Sequence, residues 1–205
     1  MSNCEINTNN KTVKAYSYQE YYDLVDHFSN AEMTSGPDQT ADRIGYTKLN
    51  FSRMKRLSKT LQVSEALKTT FARMVQPQCW TVITESWCGD GSQNVPVLAK
   101  IAEASEGKIS FQVIFRDDNP EVMDQYLTNG GRAIPKLFAR DENGKDLFTW
   151  GPRPAGATAI MKSWKENPGE VTKHDVEMKI QDWYNTNKGA DLMDEINTLL
   201  LQFIA

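Results

Sequence analysis

The sequence predicts an α/β fold: a central mixed sheet flanked by helices, with helical extensions at both ends. Three observations predict it. From residue 79 to residue 165 short apolar runs alternate with helical patterns. The segments before 75 and after 171 carry only helical patterns. Between the first apolar run and its helix stands Trp87-Cys88-Gly89-Asp90-Gly91, a cysteine placed where a strand turns into a helix. Strand and helix periods, 2 and 3.6, are what separate these segments from one another.

Residues 18–31 form the first predicted helix, with Tyr21, Tyr22, Leu24, Val25 and Phe28 at spacings of three and four. Gly36-Pro37-Asp38 marks a turn. Residues 49–60 and 63–75 are two further helices, the second capped by Ser64 and buried through Ala66, Leu67, Phe71 and Met74. Residues 79–85 make a buried strand, and 92–104 a helix kinked by Pro96. Residues 109–115 are a second strand. Asn119-Pro120 starts a helix that Asn129-Gly130-Gly131 ends after about residue 127. Two short strands, 136–140 and 146–150, flank the hairpin signal Asp141-Glu142-Asn143-Gly144. A helix follows at 155–165. Beyond 171, Thr172 and Asp175 resemble a capping box whose helix closes at Gly189. A last helix carries Met193, Ile196, Leu199, Leu200 and Phe203 on one side. That side is expected to pack on the domain, and a homodimer contact through it stays open.

The organisation that follows is an N-terminal helical extension over 1–62, a core over 63–170 and a C-terminal helical extension over 171–205. The 205 residues are 40% hydrophobic, enough for one sizeable core. The net charge of −4 and the dispersed lysines and arginines argue against nucleic-acid binding. No apolar run approaches the ~20 residues of a membrane span, and the polar residues 1–18 lack the apolar stretch of a signal peptide. A cytoplasmic location is therefore expected. Three cysteines, Cys4, Cys79 and Cys88, make no disulfide framework and are expected as free thiols. His27 and His174 lack cysteines at metal-ligand spacing, so neither a metal nor a cofactor is expected.

Cys88 is the candidate nucleophile. At a helix N-terminus the unpaired N–H groups favour the thiolate by about 0.3–1 kcal/mol, up to ~2 when partly buried. Asp90 opposes this by a comparable amount, and Lys136 is placed to offset Asp90, so the residues alone leave the ionisation of Cys88 open.

Several residues at matching spacing make the segment from 79 to 165 similar to the core of the thioredoxin family. Trp87 precedes the cysteine, Pro96 lies eight residues after it, and Ile134-Pro135 opens a strand behind a glycine-ended helix. The wording from Trp87 to Gly151-Pro152-Arg153-Pro154 resembles a bacterial thioredoxin-like subgroup whose motif is Trp-Cys-Gly-Asp-Cys. The resemblance implies a thioredoxin-like fold, a cis peptide before Pro135, and a substrate groove formed by Trp87, Gly89, Asp90, Gly91, Ile134 and Pro135, with Ile134 offering backbone hydrogen bonds to an extended partner. It also exposes two departures. Gly91 stands where the resolving cysteine belongs, and Val82 where dithiol enzymes bury a proton-shuttling acid; Glu85 is nearer the turn but without assured aim at the sulfur. Cys79 is too far along the strand to resolve Cys88, nine residues at ~3.3 Å each, whereas Cys4 on the tail stays open. Three functions follow: a single-cysteine thiol–disulfide oxidoreductase acting on protein or low-molecular-weight thiols and disulfides, a non-catalytic binding module that has lost its second cysteine, and, more remotely, a peroxide-reacting thiol.

Overall fold

The computed structural model describes residues 4–8 and 11–204; residues 1–3 and 9–10 of the polar N-terminal segment and Ala205 lie outside them. The elements run β1 (Asn7–Thr8), β2 (Lys11–Thr12), α1 (Tyr18–Asn30), α2 (Ala41–Thr60), α3 (Glu65–Arg73), β3 (Gln78–Thr84), α4 (Gly89–Ala104), β4 (Ile109–Phe115), α5 (Pro120–Met123), β5 (Lys136–Arg140), β6 (Asp146–Trp150), α6 (Ala155–Glu166), α7 (Lys173–Asn187) and α8 (Ala190–Leu200), closing in a 3₁₀ turn, Leu201–Phe203.

The four long strands form one mixed sheet in the order β4-β3-β5-β6. β3 and β4 are parallel, joined by α4 as the crossover, and β5 and β6 add antiparallel. A strand's side chains alternate between faces, and this splits the core in two. Trp80, Val82, Val113, Leu137 and Ala139 face a large cluster with α1, α2, α3, α4 and α8. Ile83, Ile114 and Phe138 face a smaller one with Cys88, Val122, Met123, Tyr126 and Ile134. The apolar side of α8, Leu192, Met193, Ile196 and Leu200, is buried in the first cluster, while Phe203 just beyond it is exposed.

Four boundaries differ from the sequence reading. The helix expected from 49 starts at Ala41, because the residues it buries in its first half, Thr47 and Asn50, are polar and leave no apolar periodicity. The helix expected from 92 starts at Gly89: Gly89, Asp90 and Gly91 are poor helix formers, and the Cys88 side chain caps them by accepting the Gly91 N–H. The helix expected to reach 127 is a single turn, after which Tyr126 turns inward and stacks on Phe138 at 4.2 Å. Lys188, in the left-handed region, ends α7, and Gly189 opens α8 instead.

The expectation of three free thiols fails for two of them. Cys4 and Cys79 form a disulfide across 75 residues, with Cα atoms 5.6 Å apart; only Cys88 is free among the described residues. The bond pins the first residues to the sheet, where β1 and β2 pair as a small hairpin and Ile6 and Val13 are buried against the second cluster. The Cys4 carbonyl accepts from Gln112 Nε2 at 2.8 Å. The segment is a strap, and Cys4 is not available to resolve an adduct on Cys88. Cross-linking so long a loop restricts the unfolded chain. Replacing Cys4 and Cys79 by serine should therefore lower stability by about 2–4 kcal/mol, read as a fall in the urea midpoint; an unchanged midpoint would show that the strap adds nothing to the fold.

Candidate functional site

β3 ends at Thr84, and the chain then turns through Glu85, Ser86 and Trp87 into Cys88, the N-cap of α4. Cys88 Sγ accepts the Gly91 N–H at 3.3 Å, and its S–H points to the Ile134 carbonyl at 3.4 Å. The Ile134–Pro135 peptide is cis. Cys88, Gly91, Ile134 and Pro135 thus come together in one place, although 46 residues separate the cysteine from Ile134.

Ionisation of Cys88, left open by the sequence, is decided by burial. The residue is 6% exposed. Burial, with Asp90 adding to it, pushes the thiol up to about 12, against the Gly91 N–H and Arg153. Lys136 is absent from this balance; the cation that acts on the sulfur is Arg153. Desolvation of a charge outweighs a helix end worth ~2 kcal/mol at most, so the resting site holds a thiol.

Asp90 is no solvated turn residue. Its carboxylate pairs with Arg153 at 2.6 Å, and their side chains are 11% and 24% exposed. It also accepts from the Tyr184 hydroxyl at 3.0 Å. Burial pushes the Asp90 carboxyl up, and Arg153 and Tyr184 pull it back. Tyr184 in turn accepts from Asn94 at 2.9 Å, and Gln93 donates to Gln181 at 2.9 Å. A Cβ on Gly89 would meet Arg53 of α2 and Gln181 of α7, each at 3.6 Å. The two extensions therefore close over the cysteine turn. Arg153, Tyr184, Gln181 and Arg53 are the site residues that sequence reasoning missed. One signal was present: Gly151-Pro152-Arg153-Pro154 follows β6, where Gly151 (φ 116°) must lack a Cβ because one would overlap the Pro135 carbonyl oxygen. That close approach swings Arg153 toward Asp90.

Trp87 is half-buried, its ring between the guanidinium groups of Arg43 at 4.2 Å and Arg116 at 5.0 Å. Both oxygens of Glu85 are taken, by the Ser35 hydroxyl and the Asp117 N–H, the latter at 2.8 Å; Glu85 holds loops together and does not serve the sulfur. Val82 lies in the opposite core cluster from Cys88. No group of three or more His, Cys, Asp or Glu among the described residues could hold a metal ion, and no helix of theirs is long and apolar enough to cross a membrane. A cleft of about 660 Å³ lined by Tyr18, Tyr22, Ser58, Pro96 and Lys100 does not include Cys88.

A mixed sheet, a cysteine capping the helix after its central strand and a cis-proline loop facing that cysteine define a thioredoxin-like α/β protein. The family model described as Thioredoxin matches residues 36–165, and the chain belongs to the thioredoxin family. The match begins ahead of residue 63, where the sequence reading opens the core, and so takes in α2. Thioredoxin 1 of Nostoc sp. (strain PCC 7120) is 43% identical over 52 residues, a quarter of this chain; the chain spans 46% of that relative's length. A crystal structure of an HIV epitope-scaffold superposes with a TM-score of 0.51 at 18% identity, over 91% of this chain and 99% of that one, a likeness of fold alone. A protein of unknown function from Pseudomonas aeruginosa gives a TM-score of 0.44 at 22% identity, over 85% and 99%.

Two outcomes follow from this geometry. A Cβ at Gly91 would lie 3.3 Å from Cys88 Cβ and 3.5 Å from its sulfur, close to the spacing a disulfide needs. Gly91→Cys should bond to Cys88 under mild oxidation once the Thr84 hydroxyl, which the new Cβ would overlap, rotates away; thiol titration that still finds two free sulfurs would refute this. Arg153→Ala should cost about 3 kcal/mol, the low end for breaking a buried pair, because Arg153 keeps a quarter of its side chain in water. A double-mutant cycle with Asp90→Asn, read by urea unfolding, should return a coupling above ~1 kcal/mol.

Proposed function

We propose that this chain is a single-cysteine thiol–disulfide exchange protein of the Trp-Cys-Gly-Asp-Cys type, working through Cys88 on protein or low-molecular-weight thiols and disulfides. The seat of the Cys88 sulfur carries the reading: it lies between the Gly91 N–H and the Ile134 carbonyl, beside cis-Pro135. A partner disulfide lying along Ile134 would be attacked by Cys88. The Cys88–partner bond forms, the partner's S–S bond breaks, and the leaving sulfur takes up the proton that Cys88 gives to solvent. Gly91 offers no second thiol, and Cys4 and Cys79 are bonded to one another. Release therefore falls to an outside thiol such as glutathione, which bonds to the partner sulfur and returns Cys88 to its reduced form. The disulfide of the strap favours an oxidising compartment over the reducing cytoplasm first expected.

The burial of Cys88 favours a second reading, a binding module whose cysteine is a packing residue. With burial pushing the thiol up to about 12, Cys88 is almost wholly protonated at pH 7. Because the raised value depletes the thiolate at every lower pH, the exchange reading expects alkylation of Cys88 to speed up about tenfold per pH unit from 7 to 11, with no plateau below the top of that range. It also expects an adduct with hydroxyethyl disulfide that added glutathione removes. Intact mass of the strap-oxidised protein reads both. Alkylation without any mixed disulfide would leave the binding module.

A further inference from the structure

Lys136 follows cis-Pro135 and pairs in register with Ile83. Residues directly opposite on an antiparallel pair share a face, so Lys136 stands on the side of the sheet that carries Ile83, Phe138, Ile134 and Cys88. The residue is 7% exposed. Among the described residues its Nζ nevertheless has a single hydrogen-bond partner, Thr128 Oγ1 at 3.2 Å, whereas an ammonium has three donors. It enters no ion pair among the described residues, whereas Arg153 pairs with Asp90, Arg132 with Asp124, Arg140 with Asp146 and Arg116 with Asp117. Burial lowers the pKa of its ammonium. An ammonium so placed is costly unless something supplies its counter-charge.

The hydrogen-bond partner of the Lys136 head, Thr128, is half-buried. Thr128 belongs to the tight turn over 128–131, whose flanks, Leu127 and Asn129 to Arg132, are exposed. The other end of the same loop is Ile134, whose carbonyl receives the Cys88 S–H. A charge bound at Lys136 would therefore lie on the loop whose Ile134 carbonyl meets the sulfur, on the face of the sheet that carries Cys88.

We propose that Lys136 is the subsite for a carboxylate of the substrate, so that the thiols and disulfides exchanged at Cys88 are anionic ones. The ammonium supplies the charge and two free donors, Thr128 fixes the third, and the cis-Pro135 loop sets the distance to the sulfur. This rests on the exchange reading above. The step is the one already balanced there: Cys88 thiol plus an anionic disulfide gives the mixed disulfide and one anionic thiol.

The test compares the intact protein with Lys136→Met and Lys136→Arg on three disulfides: oxidised glutathione (anionic), hydroxyethyl disulfide (neutral) and cystamine (cationic). Mixed-disulfide formation on Cys88 is followed by mass. The ratio of parent to variant rate for each reagent cancels the reagent's own reactivity. Lys136→Met should slow oxidised glutathione about tenfold, the factor that 1.4 kcal/mol represents, leave hydroxyethyl disulfide unchanged and not slow cystamine; Lys136→Arg should keep the preference. Equal changes with all three reagents, or none, overturn the proposal. S-methylglutathione, which cannot exchange, separates the two readings. If it raises the melting temperature of the parent and not of Lys136→Met while no disulfide reacts, the subsite stands and the exchange function falls. If it leaves the parent unmoved, the subsite falls.

Discussion

The turn that carries Cys88 leaves a buried sheet, and the polar groups it takes with it have to be satisfied inside the protein. Glu85 and Ser86 meet that demand, and much of the molecule is arranged around them. The Ser86 hydroxyl lies 3.0 Å from Thr34 Oγ1 and 3.1 Å from Thr47 Oγ1, its N–H donates to Ser35 Oγ at 2.8 Å, and its carbonyl accepts from Asn50 at 2.9 Å. Glu85 takes the Ser35 hydroxyl and the Asp117 N–H. A buried polar group without a partner costs about 1–3 kcal/mol, so this network ties the loop after α1, helix α2 and the end of β4 to the same short turn.

The same requirement shapes the chemistry. With α2 fastened to one side of the turn and α7 to the other, Cys88 and Asp90 are withdrawn from water. For the cysteine, desolvation exceeds the help from the helix end, and the thiol keeps its proton. For Asp90, Arg153 and Tyr184 supply the compensation that water no longer does. α7 meets the turn and the start of α4 through hydrogen bonds: the Tyr184 hydroxyl donates to Asp90 and accepts from Asn94, and Gln181 accepts from Gln93. Its apolar packing is instead with α6, where Ala157, Ile160 and Met161 meet Ile180, Trp183 and Tyr184 in a small cluster of their own. The cover over the turn is thus a polar one, resting on a separate apolar pair of helices.

Most elements were legible in the sequence because the signals that make them are local. The apolar run of 79–85, the cap at Ser64, Asn119-Pro120 and the hairpin at Asp141 to Gly144 each lie within a few residues, and the structure places an element at each. Cys88 before a helix and Ile-Pro before a strand were likewise local and identified the candidate site. Where the sequence misled, the signal was polar or distant: the first turns of α2 bury Thr47 and Asn50, which hydrophobic periodicity cannot register.

By itself, then, the sequence determined the α/β order of elements and the presence of a cysteine at a helix N-terminus, since each depends on neighbours or on period-2 and period-3.6 patterning. Only the tertiary structure decided the rest. Cys4 meets Cys79 because the N-terminal strap crosses the sheet. Arg153 meets Asp90 because Gly151 packs onto the Pro135 loop. Cys88 keeps its proton because helices from both ends of the chain exclude water from its turn. Pairing and burial depend on which distant surfaces come together, and no local pattern records that.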